Sequence, residues 1–296
     1  MKPINSLILL LLISVSCTDE ENNKPNPPDY TVAFSDGITT AAFGSLPYRV
    51  YYPEELTGQT FVIHVSRGGN GNGDDRGQLL PYVDNFVQKG YVVVQIDHRN
   101  AGTDIKLIAQ YRGEEIKFMA SKVANGTLDY GDFSGTVDGS KQGFLGHSGG
   151  CMEGLEAAGT QMTHGNYYVP QIKAVYGISP AGFNPDQFGI TANGYGGIST
   201  TAIFVAIGEE EKDVNGGGDF MATDWRLQAF PSMNTSGMRY QAYIKGKSTS
   251  HTDIHLDNSD LKNFNVDNSE AFFDTHLKGD GRTSEIGKIT LPPNNQ

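Results

Sequence analysis

The chain is predicted to fold as an α/β protein with a doubly wound, mostly parallel sheet and helices on both faces. Three observations carry this. Short β-branched or aromatic runs recur at 61–65, 91–96, 143–145, 172–178, 202–207 and 240–244, as expected of strands buried on both faces. Stretches with helical spacing, at 79–89, 151–158, 225–233 and 270–277, lie between or after them. No repeat of fixed period is present, which argues against a solenoid or propeller. Strand alternating with helix implies right-handed crossovers within one parallel sheet.

Ahead of this alternation, residues 30–53 switch between apolar and polar around Gly37, Gly44 and Pro47, the pattern of antiparallel strands at a sheet edge. The segment 100–140 reads as a long loop around one helix, because Gly126, Gly131, Gly135 and Gly139 interrupt any period. The 296 residues leave enough chain after the first thirty for one large core, so two domains are not required. Apolar residues make up 38% and charged residues 19%, which excludes a disordered polyelectrolyte. A net charge of −12 with no local basic patch repels a nucleic-acid backbone, so nucleic acid is not expected as a partner.

The N-terminus reads as an export signal. Lys2 precedes an apolar run at 7–13, and Ser14 and Ser16 lead to Cys17; the run is too short to span a membrane. Small residues followed by cysteine resemble a bacterial lipoprotein signal, although the usual leucine three places before the cysteine is absent. The resemblance implies that residues 1–16 are removed and that Cys17 carries a lipid anchoring the protein to a membrane. Residues 17–29, rich in Asn, Pro and acidic side chains, read as a solvated tether. Acidic residues just behind the cysteine also resemble the surface-export signal of Bacteroidetes lipoproteins, which implies a cell-envelope, outer-membrane and possible surface location. Residues 30–296 then form the folded domain. Only Cys17 and Cys151 are present, and their unrelated contexts argue against an internal disulfide.

The chemistry-bearing motif is Gly146-His147-Ser148-Gly149-Gly150, between a predicted strand and a predicted helix. A G-x-S-x-G string alone is weak, but strand before and helix after is the context of a nucleophile elbow, which lifts a serine hydroxyl above the sheet. From Phe61 to Gly279 the chain resembles α/β-hydrolases, especially the dienelactone-hydrolase and chlorophyllase-like esterases. The resemblance rests on Phe61-Val62-Ile63-His64-Val65-Ser66-Arg67-Gly68-Gly69 as strand and oxyanion loop, with Arg67 where a histidine is usual. It rests also on Ile96-Asp97-His98-Arg99-Asn100-Ala101-Gly102, the elbow, Ile178-Ser179-Pro180-Ala181 and a closing helix at 272–280.

That resemblance implies a serine hydrolase that cleaves carboxylic esters through an acyl-enzyme, with Ser148 as nucleophile and no cofactor. The order serine, acid, histidine puts the acid after the strand 202–207 and the base after the strand 240–244. Glu211 has the usual spacing after Gly208, whereas Asp213 has the commoner residue type and needs a longer turn; both stay open, with a lean to Asp213. His251 fits the base position better than His255. The oxyanion donors are the N–H of Gly149 and that of Gly69, with Gly68 next. A metal site from His251, Asp253 and His255 is a weak pattern, and no metal is expected. Cys151, three residues after Ser148, reads as a buried apolar side chain, and Trp225 with Arg226 as a helix face covering the sheet. The implied substrate is a small-molecule or polysaccharide-linked ester. A binding module without catalysis, or a peptidase on the same residues, are the competing readings.

Overall fold

A computed structural model describes residues 29–69, 76–211, 223–234, 238–246 and 248–287. Eight strands form one sheet: β1 (Val32–Ala41), β2 (Gly44–Pro53), β3 (Gln59–Ser66), β4 (Val92–Ile96), β5 (Thr136–His147), β6 (Ile172–Ile178), β7 (Ala202–Gly208) and β8 (Arg239–Ile244). Their order is β1-β2-β4-β3-β5-β6-β7-β8. β1 and β2 form an antiparallel hairpin added to the edge at β4, and every pairing from β4 to β8 is parallel.

Alternate side chains of the central strands feed two different cores, as the period of two requires. Leu145, Tyr176 and Phe204 join Tyr82 and Phe86 of α1 (Leu80–Gln88) and Phe272 and Phe273 of α6 (Ser259–Phe273). Phe144, Val175 and Val205 join Ile116 of α2 (Ile105–Ala124) and Leu155 of α3 (Gly149–Ala158) on the other face. The doubly wound architecture expected from the sequence is therefore present, with helices on both faces.

Chain direction reverses at the middle of the sheet. From β3 the chain moves to β4 on one side, and β5 returns to the other side of β3. In open α/β sheets such a switch point leaves a crevice beyond the carboxyl ends of the strands, where ligands bind. Among the described residues no helix is long and apolar enough to cross a membrane.

Three helices differ from the sequence pattern. α2 runs for 20 residues, starting from the Asp104 side chain, which accepts the N–H of Leu107 at 3.0 Å. The four glycines that interrupt the period all fall after it. The helix predicted at 225–233 is two short turns, α4 (Thr223–Arg226) and α5 (Ala229–Ser232). Pro231 has no N–H to offer Leu227, so a continuous helix would lose a rung there. α6 begins eleven residues before the predicted start at 270, because Asn265 and Asn268 face the interior and hide its apolar stripe. Asn265 donates to the Ile254 carbonyl at 2.6 Å and accepts the Tyr176 hydroxyl at 2.9 Å.

Candidate functional site

Ser148 occupies the sharp turn between β5 and α3, with φ 55° and ψ −116°. A non-glycine residue held there is strained and stays only because its surroundings fix it. Two contacts make the turn this tight. A Cβ on Gly146 would lie 2.2 Å from the Gly150 carbonyl oxygen, and one on Gly150 would lie 2.1 Å from that of Ser66. Glycine at both positions is thus a steric requirement of placing α3 directly over β5 and β3. The Ser148 N–H donates to the Ile178 carbonyl at 2.9 Å, tying the turn to β6.

His251 follows β8, and its Nδ1 lies 3.1 Å from Oε2 of Glu211, which follows β7. A carboxylate accepts only, so Nδ1 carries the proton and Nε2 is left as the acceptor. Glu211 is almost fully enclosed. Its Oε1 accepts the Ser179 hydroxyl at 2.7 Å and the Gly208 N–H at 3.0 Å, and its Oε2 pairs with Arg226 Nε at 2.9 Å. Burial pushes this carboxyl up. The His251 hydrogen bond, the Arg226 charge and the Gly208 N–H outweigh burial and hold it below its ordinary value. Glu211 is therefore an anion at neutral pH. Asp213 lies outside the described residues, as does Cys17.

Arg226 was read in the sequence as part of a covering face, and its place on Glu211 was not foreseen. Its guanidinium also donates to the Ser179 and Pro180 carbonyls at 2.9 and 3.3 Å, so it fastens the loop after β6 to the carboxylate. Nothing in the local sequence signals this, because β7 and α4 meet only in the fold.

Beneath His251 lies His147. Its Nε2–H donates to the His251 carbonyl at 2.9 Å, and its ring stacks on His255 with centroids 3.5 Å apart and planes 11° apart. Burial, then the neighbouring imidazoles, lower the basicity of both rings, His255 to about 4 and His147 well below its ordinary value. Of the two histidines after β8, the structure brings His251 to Glu211 and buries His255 in this stack. Among the described residues no group of three His, Cys, Asp or Glu side chains is placed to hold a metal ion. Cys151 is fully buried, and burial raises its thiol far above the range where a thiolate forms.

Ser148 and His251 line one cleft of about 530 Å³ at the switch point. Gly69 and Gly149 border it beside Ser148, and Ile105, Ile108, Met152, Ala181, Phe188 and Trp225 supply apolar walls. A Cβ on Gly68 would lie 2.7 Å from Ser148 Cβ, and one on Gly149 would lie 3.7 Å from the Gly69 nitrogen. The loop after β3 thus passes against the serine, with the N–H groups of Gly69 and Gly149 as neighbours. The Ser148 hydroxyl and the His251 imidazole border one cleft, with the anionic Glu211 behind the imidazole, and these are the group types that nucleophilic acyl transfer uses.

A scan of the chain against protein-family models finds no match, and a search of curated protein sequences finds none.

Proposed function

We propose that the protein is a serine hydrolase of the α/β-hydrolase type that cleaves carboxylic esters through an acyl-enzyme. The observation that carries the reading is Ser148, held at φ 55° on a strand-to-helix turn, in the same cleft as a histidine whose Nδ1 is hydrogen-bonded to a buried carboxylate. In this reading Ser148 Oγ attacks the ester carbonyl as its proton passes to His251 Nε2. The imidazolium then protonates the departing alcohol, and water, deprotonated by His251, releases the acid. Glu211 holds the imidazole tautomer, and Gly69 and Gly149 N–H groups receive the oxyanion.

The apolar walls favour an ester whose acyl part is uncharged, either a small molecule or a group carried on a polysaccharide. Turnover of p-nitrophenyl esters of graded acyl length, beside a peptide panel, tests the reaction. A fluorophosphonate should label the wild type once and fail to label Ser148→Ala. Absence of ester turnover and of labelling in the wild type would leave a binding module, and cleavage of peptides alone would make it a peptidase.

The same proposal puts the enzyme at the cell envelope, on a lipid carried by Cys17; its support is the sequence of residues 2–17. Cys17→Ser should move the protein from the detergent phase to the aqueous phase, or leave it uncleaved. Unchanged partitioning would remove the anchor from the proposal.

A further inference from the structure

The loop that passes Ser148 is gripped from beneath by a buried cation. Arg112, in the middle of α2, is 1% exposed. Its Nη1 donates to the Arg67 carbonyl at 3.1 Å and its Nη2 to the Gly69 carbonyl at 3.3 Å. These carbonyls belong to the peptide groups immediately before and after the one joining Gly68 to Gly69. That middle peptide carries the N–H of Gly69, a residue that borders the cleft. Two consecutive glycines would otherwise let it rotate freely, since neither has a side chain to restrict φ and ψ. A rigid planar fork holding both flanking carbonyls removes that freedom.

The fork is itself anchored to the nucleophile's helix. Arg112 Nη1 lies 3.1 Å from Oε2 of Glu153 on α3, and 2.8 Å from the Ser66 hydroxyl at the end of β3. Ser66 in turn donates to the same Glu153 oxygen at 2.7 Å. His98, after β4, faces Glu115 Oε2 at 2.7 Å through Nδ1, and Glu153 Oε2 at 3.3 Å through Nε2. One enclosed network therefore joins the loop after β3, helix α3 and helix α2, and Arg112 is the member that touches the loop on both sides.

We propose that Arg112 is a positioning residue of the oxyanion site: by holding the Arg67 and Gly69 carbonyls it aims the Gly69 N–H at the oxygen that becomes negative during acyl transfer. The inference rests on Ser148 being the nucleophile. Arg112 acts through the Gly69 N–H, so its contribution belongs to the transition state and not to substrate binding.

The test uses the mature full chain with Arg112→Met, which keeps bulk but removes the fork, and Arg112→Lys, which reaches one carbonyl at most. Active sites are counted by endpoint fluorophosphonate titration, so that poorly folded material does not enter the rates. Turnover per titrated site should fall about 100-fold in Arg112→Met and less in Arg112→Lys, with KM within about threefold, because losing an oxyanion donor outright costs roughly 10²–10³. A trifluoromethyl ketone, which forms the tetrahedral adduct, should lose affinity in step with kcat/KM. The matching methyl ketone, which does not, should bind as before. Per-site turnover within threefold of wild type in both variants would overturn the inference, as would equal losses for the two ketones. If the wild type itself neither hydrolyses esters nor takes the label, the hydrolase reading fails instead.

Discussion

Two buried clusters of glutamate, histidine, arginine and serine flank Ser148, and they share their parts. On one side Glu211 accepts from Ser179 at 2.7 Å, pairs with Arg226 at 2.9 Å and meets His251 Nδ1 at 3.1 Å. On the other, Glu153 accepts from Ser66 at 2.7 Å and pairs with Arg112 at 3.1 Å, while His98 stands between Glu153 and Glu115. The difference lies in the second ring nitrogen. His251 gives one nitrogen to a carboxylate and borders the cleft with Ser148, whereas both nitrogens of His98 face carboxylates. Burial and Arg112 lower the basicity of His98, but Glu153 and Glu115 outweigh them and raise it to about 8. Residue type therefore does not separate the proposed proton relay from a brace. What separates them is whether the imidazole keeps one nitrogen free of carboxylates and borders the cleft.

The comparison breaks most sharply at the serine between the clusters. Ser148→Ala should lower ester turnover by about 10⁶, following the serine-protease precedent, with an unchanged melting temperature. Retained turnover in that variant would place the nucleophile elsewhere. Next in size, Glu211→Gln should cost on the order of 10⁴ in kcat, because the imidazole loses the partner that fixes its tautomer. Asp213→Asn should cost little. Kinetics of the two single variants decide between them, and a severe Asp213→Asn with a mild Glu211→Gln would exchange their roles.

Arg226→Met tests the brace within the first cluster. It leaves Glu211 buried without its guanidinium, and removing one partner of a buried pair destabilises by about 3–5 kcal/mol. A urea titration reads this directly, and an unchanged midpoint would show that Glu211 is not held by Arg226.

The smallest expected effect is a pH dependence of the second cluster. His98 in the fold binds its proton more tightly than an ordinary histidine, with a value of about 8 against 6.5. Its stabilisation is full below pH 6.5 and is lost as pH rises through about 8, amounting to about 2 kcal/mol. Glu115, Glu153, Arg112 and the Ser66 hydroxyl are the groups that face it. The change in urea midpoint between pH 6 and pH 9 should differ between the wild type and His98→Gln, the variant losing the contribution that favours pH 6. Equal slopes in both proteins would remove His98 from the network's charge balance.

These clusters were unequally legible in the sequence. The elbow was readable because its glycines, its serine and the strand and helix around it are contiguous, and each is demanded by local sterics. β6 was readable to the residue because, apart from the exposed Lys173, it is an unbroken run without charged side chains. α2 was not, because the face it buries carries Arg112 and Glu115 among Ile108, Ile116 and Met119, which erases the apolar stripe. The polar first half of β5, from Thr136 to Gln142, was hidden because its residues up to Lys141 are exposed or half-buried and mostly polar, while Gln142, though polar, is buried against His64 Nε2 at 2.8 Å. The choice between Glu211 and Asp213 stayed open because it depends on the path of a turn, which spacing alone does not give. Arg226 and Arg112 were missed as site residues because each works across elements far apart in the chain.

The histidine stack beneath His251 bears on acid tolerance. His147 and His255 are packed face to face as neutral rings, and the buried Nδ1 of His255 has no hydrogen-bond partner among the described residues to welcome a proton. An unfolded chain would protonate both near pH 6.5, whereas the fold resists until about 4 at His255, so stability drains away as pH falls through that window. His147 also carries the His251 carbonyl, and charging the stack would push apart the shelf on which the proposed relay rests. If the proposed hydrolase reading holds, the lower limit of its working pH range is set by two rings that do not line the cleft. His255→Phe, which keeps the stacking and removes the proton, should extend activity and recovery after an acid pulse to lower pH. An unshifted acid limit would assign that boundary to the relay itself.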